Sequence, residues 1–230
     1  DLAVPPPPTL ENFIAGRNGE LLAQLRRLGA GQPGERFFYV WGPPDCGRSH
    51  LLAGAVAQRA GAAYVACRSE TRFDAGLQRA NCVALDDVER LDEEGQVGAF
   101  DLYNALRERG GALIASGSAP PVQLELRQDL VTRLAWGLVY QLHALTDEEK
   151  TKALADRAAS RGFRLPHEVA EFLLKRVRRD LPTLLAMLDA LDRYSLETKR
   201  PVTVPLVREL LHAAAPRDAQ SVVGDSGSRS

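Results

Sequence analysis

The chain has 230 residues, 45% of them hydrophobic, enough to bury one substantial core and a second, smaller one. Its 29 basic and 30 acidic residues nearly cancel, which argues against a domain whose main work is gripping nucleic acid. Three cysteines without C-x-x-C spacing, and no apolar run near the roughly 20 residues of a membrane span, leave a cytoplasmic globular protein with reduced thiols as the expectation.

Asp1-Leu2-Ala3-Val4 leads into Pro5-Pro6-Pro7-Pro8, and four successive prolines predict a stiff, extended tether over residues 1–8. Asp1 in place of a methionine predicts a trimmed N-terminus. An α/β domain is expected over residues 9–145. It opens near Thr9, with a helix from Gly19 to Leu28 and a turn, Gly29 to Gly34, before a first strand over Phe37 to Trp41. A helix over Leu51 to Ala57 precedes a second strand, Ala62 to Ala66, and Cys82 to Leu85 is a third, ending in Asp86-Asp87. A helix from Gly98 to Arg109 precedes a fourth strand, Ala112 to Ser116. A short helix containing Arg127 to Leu134 precedes a fifth, Gly137 to Leu142. Short apolar strands alternating with helices predict a parallel sheet with helices on both faces.

From Thr146 the pattern becomes helical throughout. Thr146 with Glu149 three residues on reads as a capping box. Apolar positions then recur every three or four residues over Leu145 to Ala159, Pro166 to Val177, Leu181 to Thr198 and Thr203 to Ala215. A small all-helical domain is therefore expected over residues 146–215. The Ser-, Gly- and Asp-rich residues 216–230 are expected to be a disordered tail.

The most informative stretch is Gly42-Pro43-Pro44-Asp45-Cys46-Gly47-Arg48-Ser49-His50, between the first strand and its helix. Gly42 and Gly47 hold the G-x-x-x-x-G spacing of a phosphate-binding loop, with Arg48 in the lysine position and the Ser49 hydroxyl placed to reach a magnesium ion. The helix that follows offers its N-terminal amides and dipole to a phosphate. Arginine keeps the charge and can grip phosphate with two parallel hydrogen bonds, but it is wider and differently aimed, so phosphate is held while fast hydrolysis is not assured. Asp86 and Asp87 close the third strand where a magnesium ion and an attacking water are managed: Asp86 to orient the metal through its water shell, Asp87 to polarise the water or sense a partner. The plainer reading of this pair is a turn continued by a solvated acidic stretch, Asp92-Glu93-Glu94. Arg133, ahead of the fifth strand, could reach a nucleotide on a neighbouring molecule; its plainer reading is a surface arginine paired with Asp129 or Glu125. Trp41 and Trp136 read as core or subunit-contact residues, and His50 and His143 as helix-start and strand-end residues.

These motifs together resemble the AAA+ family, and within it the Hda group of regulatory inactivators of the bacterial replication initiator DnaA. The matching stretches are Thr9 to Phe13, Cys46 to Leu52, Leu85 to Asp87, Phe100 to Asn104, Ser116-Gly117 before Pro120-Pro121, and Thr132 to Gly137. Arg161 to Phe163, Phe172 to Arg176 and Leu188 to Asp192 extend the match through the helical domain to about His212. The resemblance implies an AAA+ α/β domain with a helical lid. It implies a protein that joins the DNA-loaded sliding clamp (the β subunit of DNA polymerase III), contacts DNA only through that complex, and stimulates hydrolysis of ATP bound to DnaA. Arg133 then matches an arginine finger acting in trans. The chain's own loop would hold ADP, or another nucleoside diphosphate, with magnesium. No DNA-binding domain of the DnaA type is expected after the lid.

The pattern departs from that group at three places. Of its N-terminal clamp-binding motif only Asp1-Leu2 stands as a remnant. Ser118 falls where the first sensor usually carries Asp or Asn, and Pro182 where the second carries arginine, leaving Arg178 or Arg179 to substitute. Two alternatives stay open: an autonomous AAA+ ATPase using Asp86 and Asp87, and an adaptor that needs no nucleotide.

Overall fold

Five short apolar runs, rich in aromatic, Val, Leu and Ala residues, become the strands β1 (Phe37–Trp41), β2 (Ala62–Ala66), β3 (Cys82–Asp86), β4 (Ala112–Gly117) and β5 (Leu138–Gln141) of the computed structural model. The model describes residues 6–57, 59–178 and 180–214; the expected tail over residues 216–230, together with Asp1, Leu2 and Arg179, lies outside the described residues. All pairings are parallel, in the order β2-β3-β4-β1-β5. The central β3 and β4 are buried at every position, as strands covered on both faces must be.

Alternation along each strand sorts the side chains into two layers. Phe38, Val40, Cys82, Ala84, Ala112 and Ile114 face one layer, together with Leu21, Leu22, Leu25 and Leu28 of α1 (Gly19–Gly29) and Leu51, Leu52, Ala55 and Val56 of α2 (Arg48–Val56). Tyr39, Val83, Leu85, Leu113 and Ala115 face the other, against Ala99, Leu102, Tyr103 and Leu106 of α4 (Glu93–Glu108) and Leu130 and Leu134 of α5 (Gln128–Ala135). A short α3 (Ala75–Arg79), which the sequence reading did not foresee, is capped by the Asp74 carboxylate.

One acidic stretch plays a different part from the one expected. Asp92-Glu93-Glu94 is the start of α4, five residues ahead of the expected Gly98. The Asp92 carboxylate accepts the Gly95 N–H at 2.8 Å as an N-cap, and Glu93 and Glu94 fill the first turn, where negative charge complements the exposed amides.

The described residues divide into two compact units, with the second taking over at Lys150, inside α6 (Asp147–Ser160). That second unit continues through α7 (His167–Arg176), α8 (Leu181–Thr198) and α9 (Val204–Ala214) around Leu154, Val169, Leu173, Leu184, Leu188, Leu191 and Leu206. Its two buried carboxylates are each paired, Asp189 with Arg157 at 3.0 Å and Asp192 with Arg161 at 2.7 Å. The expected capping box forms: the Thr146 N–H donates to Glu149 at 2.8 Å and the Glu149 N–H returns to the Thr146 hydroxyl at 3.2 Å.

Because the strands are parallel, their C-terminal ends share one edge of the sheet and their starts share the other. The chain leaving β5 is pinned at the first edge by Asn18, which is buried. Its side-chain amide donates to the His143 carbonyl at 2.9 Å, and its side-chain oxygen accepts the His143 N–H at 2.8 Å. Asn18→Ala leaves both backbone groups without that partner and is expected to cost about 2 kcal/mol of stability, read as a lower midpoint in urea unfolding; an unchanged midpoint would show that the clamp contributes nothing.

A candidate phosphate-binding site and a caged arginine

The loop after β1 has the backbone that a phosphate cradle requires. A Cβ on Gly42 would stand 2.5 Å from the Leu142 carbonyl oxygen, and Gly47 sits at φ +100°, so both positions demand glycine. Pro43, Pro44 and Asp45 form the exposed crest of the loop, while Cys46 folds inward. Burial, its first cause, pushes the Cys46 thiol up, and the Cys67 thiol is pushed up to about 12 by burial and then by Asp86. The free cysteines are therefore buried thiols held away from the reactive thiolate.

Arg48 is the loop's cation, and the fold already gives it an anion. Its guanidinium donates to the Gly42 carbonyl and to Asp87 Oδ1 at 2.9 Å, with the two side chains 13% and 20% exposed. Its Nε is buried without a hydrogen-bond partner. Asp87 adopts φ 57°, ψ 59°, a left-handed conformation that aspartate tolerates, and a second cation, Arg90, approaches its Oδ2 at 3.4 Å.

Asp86 is buried at the end of β3, where its carboxylate accepts the Ser116 hydroxyl and, at 2.7 Å, the Tyr64 hydroxyl. The Ser49 side chain reaches the same Tyr64 hydroxyl, which burial and then Asp86 hold protonated well above the ordinary phenol range. Ser49 and Asp86 both neighbour the Tyr64 hydroxyl, and a hydroxyl with a carboxylate is a donor set that suits magnesium accompanying a nucleotide. Among the described residues no group of three or more His, Cys, Asp or Glu could hold a metal ion by itself.

His50 stands on the first turn of α2, with Nε2 facing Asn12 Oδ1 at 2.8 Å and the Thr9 carbonyl at 3.3 Å, beside the Phe13 ring. Burial lowers its pKa, so it is neutral at physiological pH. It ties the entering segment to the phosphate loop and is placed as a linker, not as a ligand.

Three residues here escaped the sequence reading. Tyr64 and Ser116 hold Asp86, and the Ser116 hydroxyl also accepts the Asp87 N–H at 3.0 Å. Ser118, expected at the sensor position, is exposed, and its N–H is held by Glu89 at 2.9 Å; the hydroxyl against the acidic pair belongs to Ser116. A serine closing an otherwise apolar strand was the available signal. The third is Arg107, described below. In the helical unit, Pro182 occupies the first turn of α8, where Asp180 caps the Thr183 N–H at 2.9 Å, and Arg178 pairs with Asp180 at 3.2 Å.

Arg133 belongs to a different place. Gly137 packs on the Phe37 carbonyl and Leu138 pairs with Phe38, so the end of α5 lies at the starting edge of the sheet. The phosphate loop leaves the far end of β1, and five strand residues span roughly 16 Å. Neither plain partner engages Arg133, for Asp129 is bound by Arg127 at 2.8 Å. Its guanidinium lies over Trp136 at 4.3 Å, Phe100 at 5.4 Å and Tyr103 at 5.9 Å.

Residues 147–211 match the family model described as Hda, lid domain. The chain is similar in fold to domain III of the replication initiation protein DnaA from Thermotoga maritima (TM-score 0.72, 22% identity, 92% of this chain and 98% of that one). It is also similar to AMPPCP-bound DnaA from Aquifex aeolicus (TM-score 0.68, 19% identity, 84% of this chain and 67% of that one). A further similar structure is RuvB from Thermotoga maritima (TM-score 0.66, 16% identity, 90% and 72%). With a five-stranded parallel sheet between helices and a phosphate-loop pattern after β1, the α/β unit shares the fold of DnaA domain III, and the helical unit that follows it in sequence matches the Hda lid domain.

Proposed function

We propose that this chain is a regulator of replication initiation: together with the DNA-loaded sliding clamp it stimulates hydrolysis of the ATP bound to DnaA, and its own loop holds ADP as a structural effector. The observation that carries this reading is the placement of Arg133. It sits at the sheet edge opposite its own phosphate loop and among the described residues forms no ion pair, which supports a phosphate reaching it from another molecule. An arginine supplied in trans stabilises the charge that develops on the transferred phosphoryl group. The lid match and the DnaA-like fold support DnaA as that other molecule. The clamp enters from sequence resemblance, with Asp1-Leu2 as the remnant of its binding motif and DNA reached only through the clamp complex.

In the chain's own site, the N-terminal amides of α2, the backbone of Gly42 to Gly47 and Arg48 would receive the β-phosphate. Magnesium bound with the nucleotide would be met by Ser49 and, through water, by Asp86, and would shield the phosphate charge. Asp87, the residue an autonomous ATPase would need for its water, is instead neutralised by Arg48 and Arg90. That arrangement favours retention of a nucleotide over turnover. A turnover assay on the purified chain separates the two readings: ATP hydrolysis at rates of about 1 per second or faster would make it an enzyme in its own right.

Arg133→Ala should leave folding and ADP binding intact and remove the stimulation of DnaA, a loss on the order of a thousandfold where an arginine finger acts. It is measured as release of ADP from ATP pre-bound to DnaA with loaded clamp; undiminished stimulation would take Arg133 out of the mechanism. Arg48→Ala should purify without ADP. Asp87→Asn should do the opposite, because it frees Arg48 for phosphate and because asparagine suits the left-handed conformation equally well. ADP affinity by calorimetry should rise, by about tenfold at most.

A further inference from the structure

Among the described residues, Arg133 is held by rings and not by a carboxylate. Three aromatic rings surround its guanidinium, its Nε is buried with no hydrogen-bond partner, and among the described residues it forms no ion pair. A second guanidinium, that of Arg107, lies over the same indole at 4.8 Å, and it too lacks an ion pair among the described residues. The concavity beside the indole is lined by Arg36, Tyr103, Arg107, Trp136 and one carboxylate, Glu35. That carboxylate is engaged elsewhere, accepting the N–H groups of Arg36 and Phe37. Both cations rest on Trp136, a large side chain left 53% exposed.

An aromatic face and a carboxylate hold a guanidinium differently. A carboxylate occupies the same N–H fork that would grip phosphate, and so competes with it. A ring fixes the plane of the guanidinium while leaving its charge and donors uncommitted. We infer that Trp136 is a positioning residue: its indole fixes the plane of Arg133, so that the finger stands pre-ordered and uncommitted until a partner's polyphosphate arrives, with Arg107 adding positive charge at the same place. This rests on the reading of Arg133 as a residue acting in trans.

The test has two arms on the full chain. In the first, the side-chain Nε–H of Arg133 is observed by nitrogen-15 NMR and assigned by its loss in Arg133→Lys. In the unmutated protein it should be displaced by ring current, and Trp136→Leu should move it most of the way towards the position of a free arginine while the amide spectrum stays dispersed. Trp136→Phe, which keeps a ring, should retain part of the displacement and serves if the leucine variant does not fold. A Nε–H at the free-arginine position in the unmutated protein, or one unmoved by either substitution, overturns the proposal.

The second arm measures stimulated hydrolysis of DnaA-bound ATP against concentration of this protein. Trp136→Leu should lower the maximal rate about tenfold or more, as misplacement of a catalytic group does, with the half-saturating concentration little changed and Trp136→Phe restoring most of the rate. A rise in half-saturating concentration with an unchanged maximal rate would mark Trp136 as a docking contact and overturn the positioning role. A displaced Arg133 signal in a protein that stimulates nothing would retain the positioning and overturn the trans-acting function instead.

Discussion

Everything at the two candidate sites follows from the parallel pairing of the five strands. Parallel strands cannot be joined by tight turns, so each connection must cross the sheet as a helix or long loop, and every strand delivers its C-terminal end to the same edge. That edge collects Gly42, Asp86, Asp87 and Ser116 from β1, β3 and β4, three neighbours in the sheet although up to 74 residues apart in sequence. The same geometry sends the end of α5 back to the starting edge, since β5 must enter in register with Phe38. The separation of Arg133 from the phosphate loop is therefore a property of the topology, independent of any side-chain conformation.

At the collecting edge, the exchange of lysine for arginine alters more than the loop. A lysine presents one compact charge, whereas Arg48 is long and planar enough to bond the Gly42 carbonyl and Asp87 together. The phosphate loop and the end of β3 become joined by a group that a phosphate would also claim. Asp87 is correspondingly secured from several sides: by Arg48, by Arg90 and, through its backbone, by the Ser116 hydroxyl. An ion pair this sheltered costs desolvation that its attraction must offset, so it is weak evidence of stability. Its clearer consequence is competition: whatever anion enters must be better for Arg48 than Asp87 is.

The sheet was legible because its strands are short apolar runs, three of which stop at Gly, Asp or Ser, and the phosphate loop was legible because glycine spacing and strand-loop-helix context coincide. The start of α4 was not. Asp92-Glu93-Glu94 carries no apolar periodicity, and its role as cap and first turn depends on where the 3-10 turn after β3 delivers the chain. Tyr64 and Ser116 were illegible for another reason: their contacts with Asp86 join residues 22 and 30 positions apart, set by the β2-β3-β4 order, which periodicity does not encode. Arg133 could be singled out from its motif, yet its environment could not. The expected partners were the nearest carboxylates in sequence, and the actual ones are rings: Trp136 at the end of α5, and Phe100 and Tyr103, which α4 contributes.

The two edges are complementary in what they leave unsatisfied. At the phosphate-loop edge the fold supplies internal partners for three charges: Asp86 with hydroxyls, Asp87 with two arginines, Arg48 with a carboxylate and a carbonyl. At the opposite edge Arg133 and Arg107 share one indole, and among the described residues neither forms an ion pair. A group whose needs are met inside the molecule has little to gain from a partner, while an uncommitted cation in a partly desolvated aromatic setting gains a great deal from an incoming anion. An enzyme working on its own nucleotide would be expected to keep its free charges beside its loop. This chain holds two arginines over an indole at the other end of the sheet, the arrangement that the proposed action on another molecule's nucleotide requires.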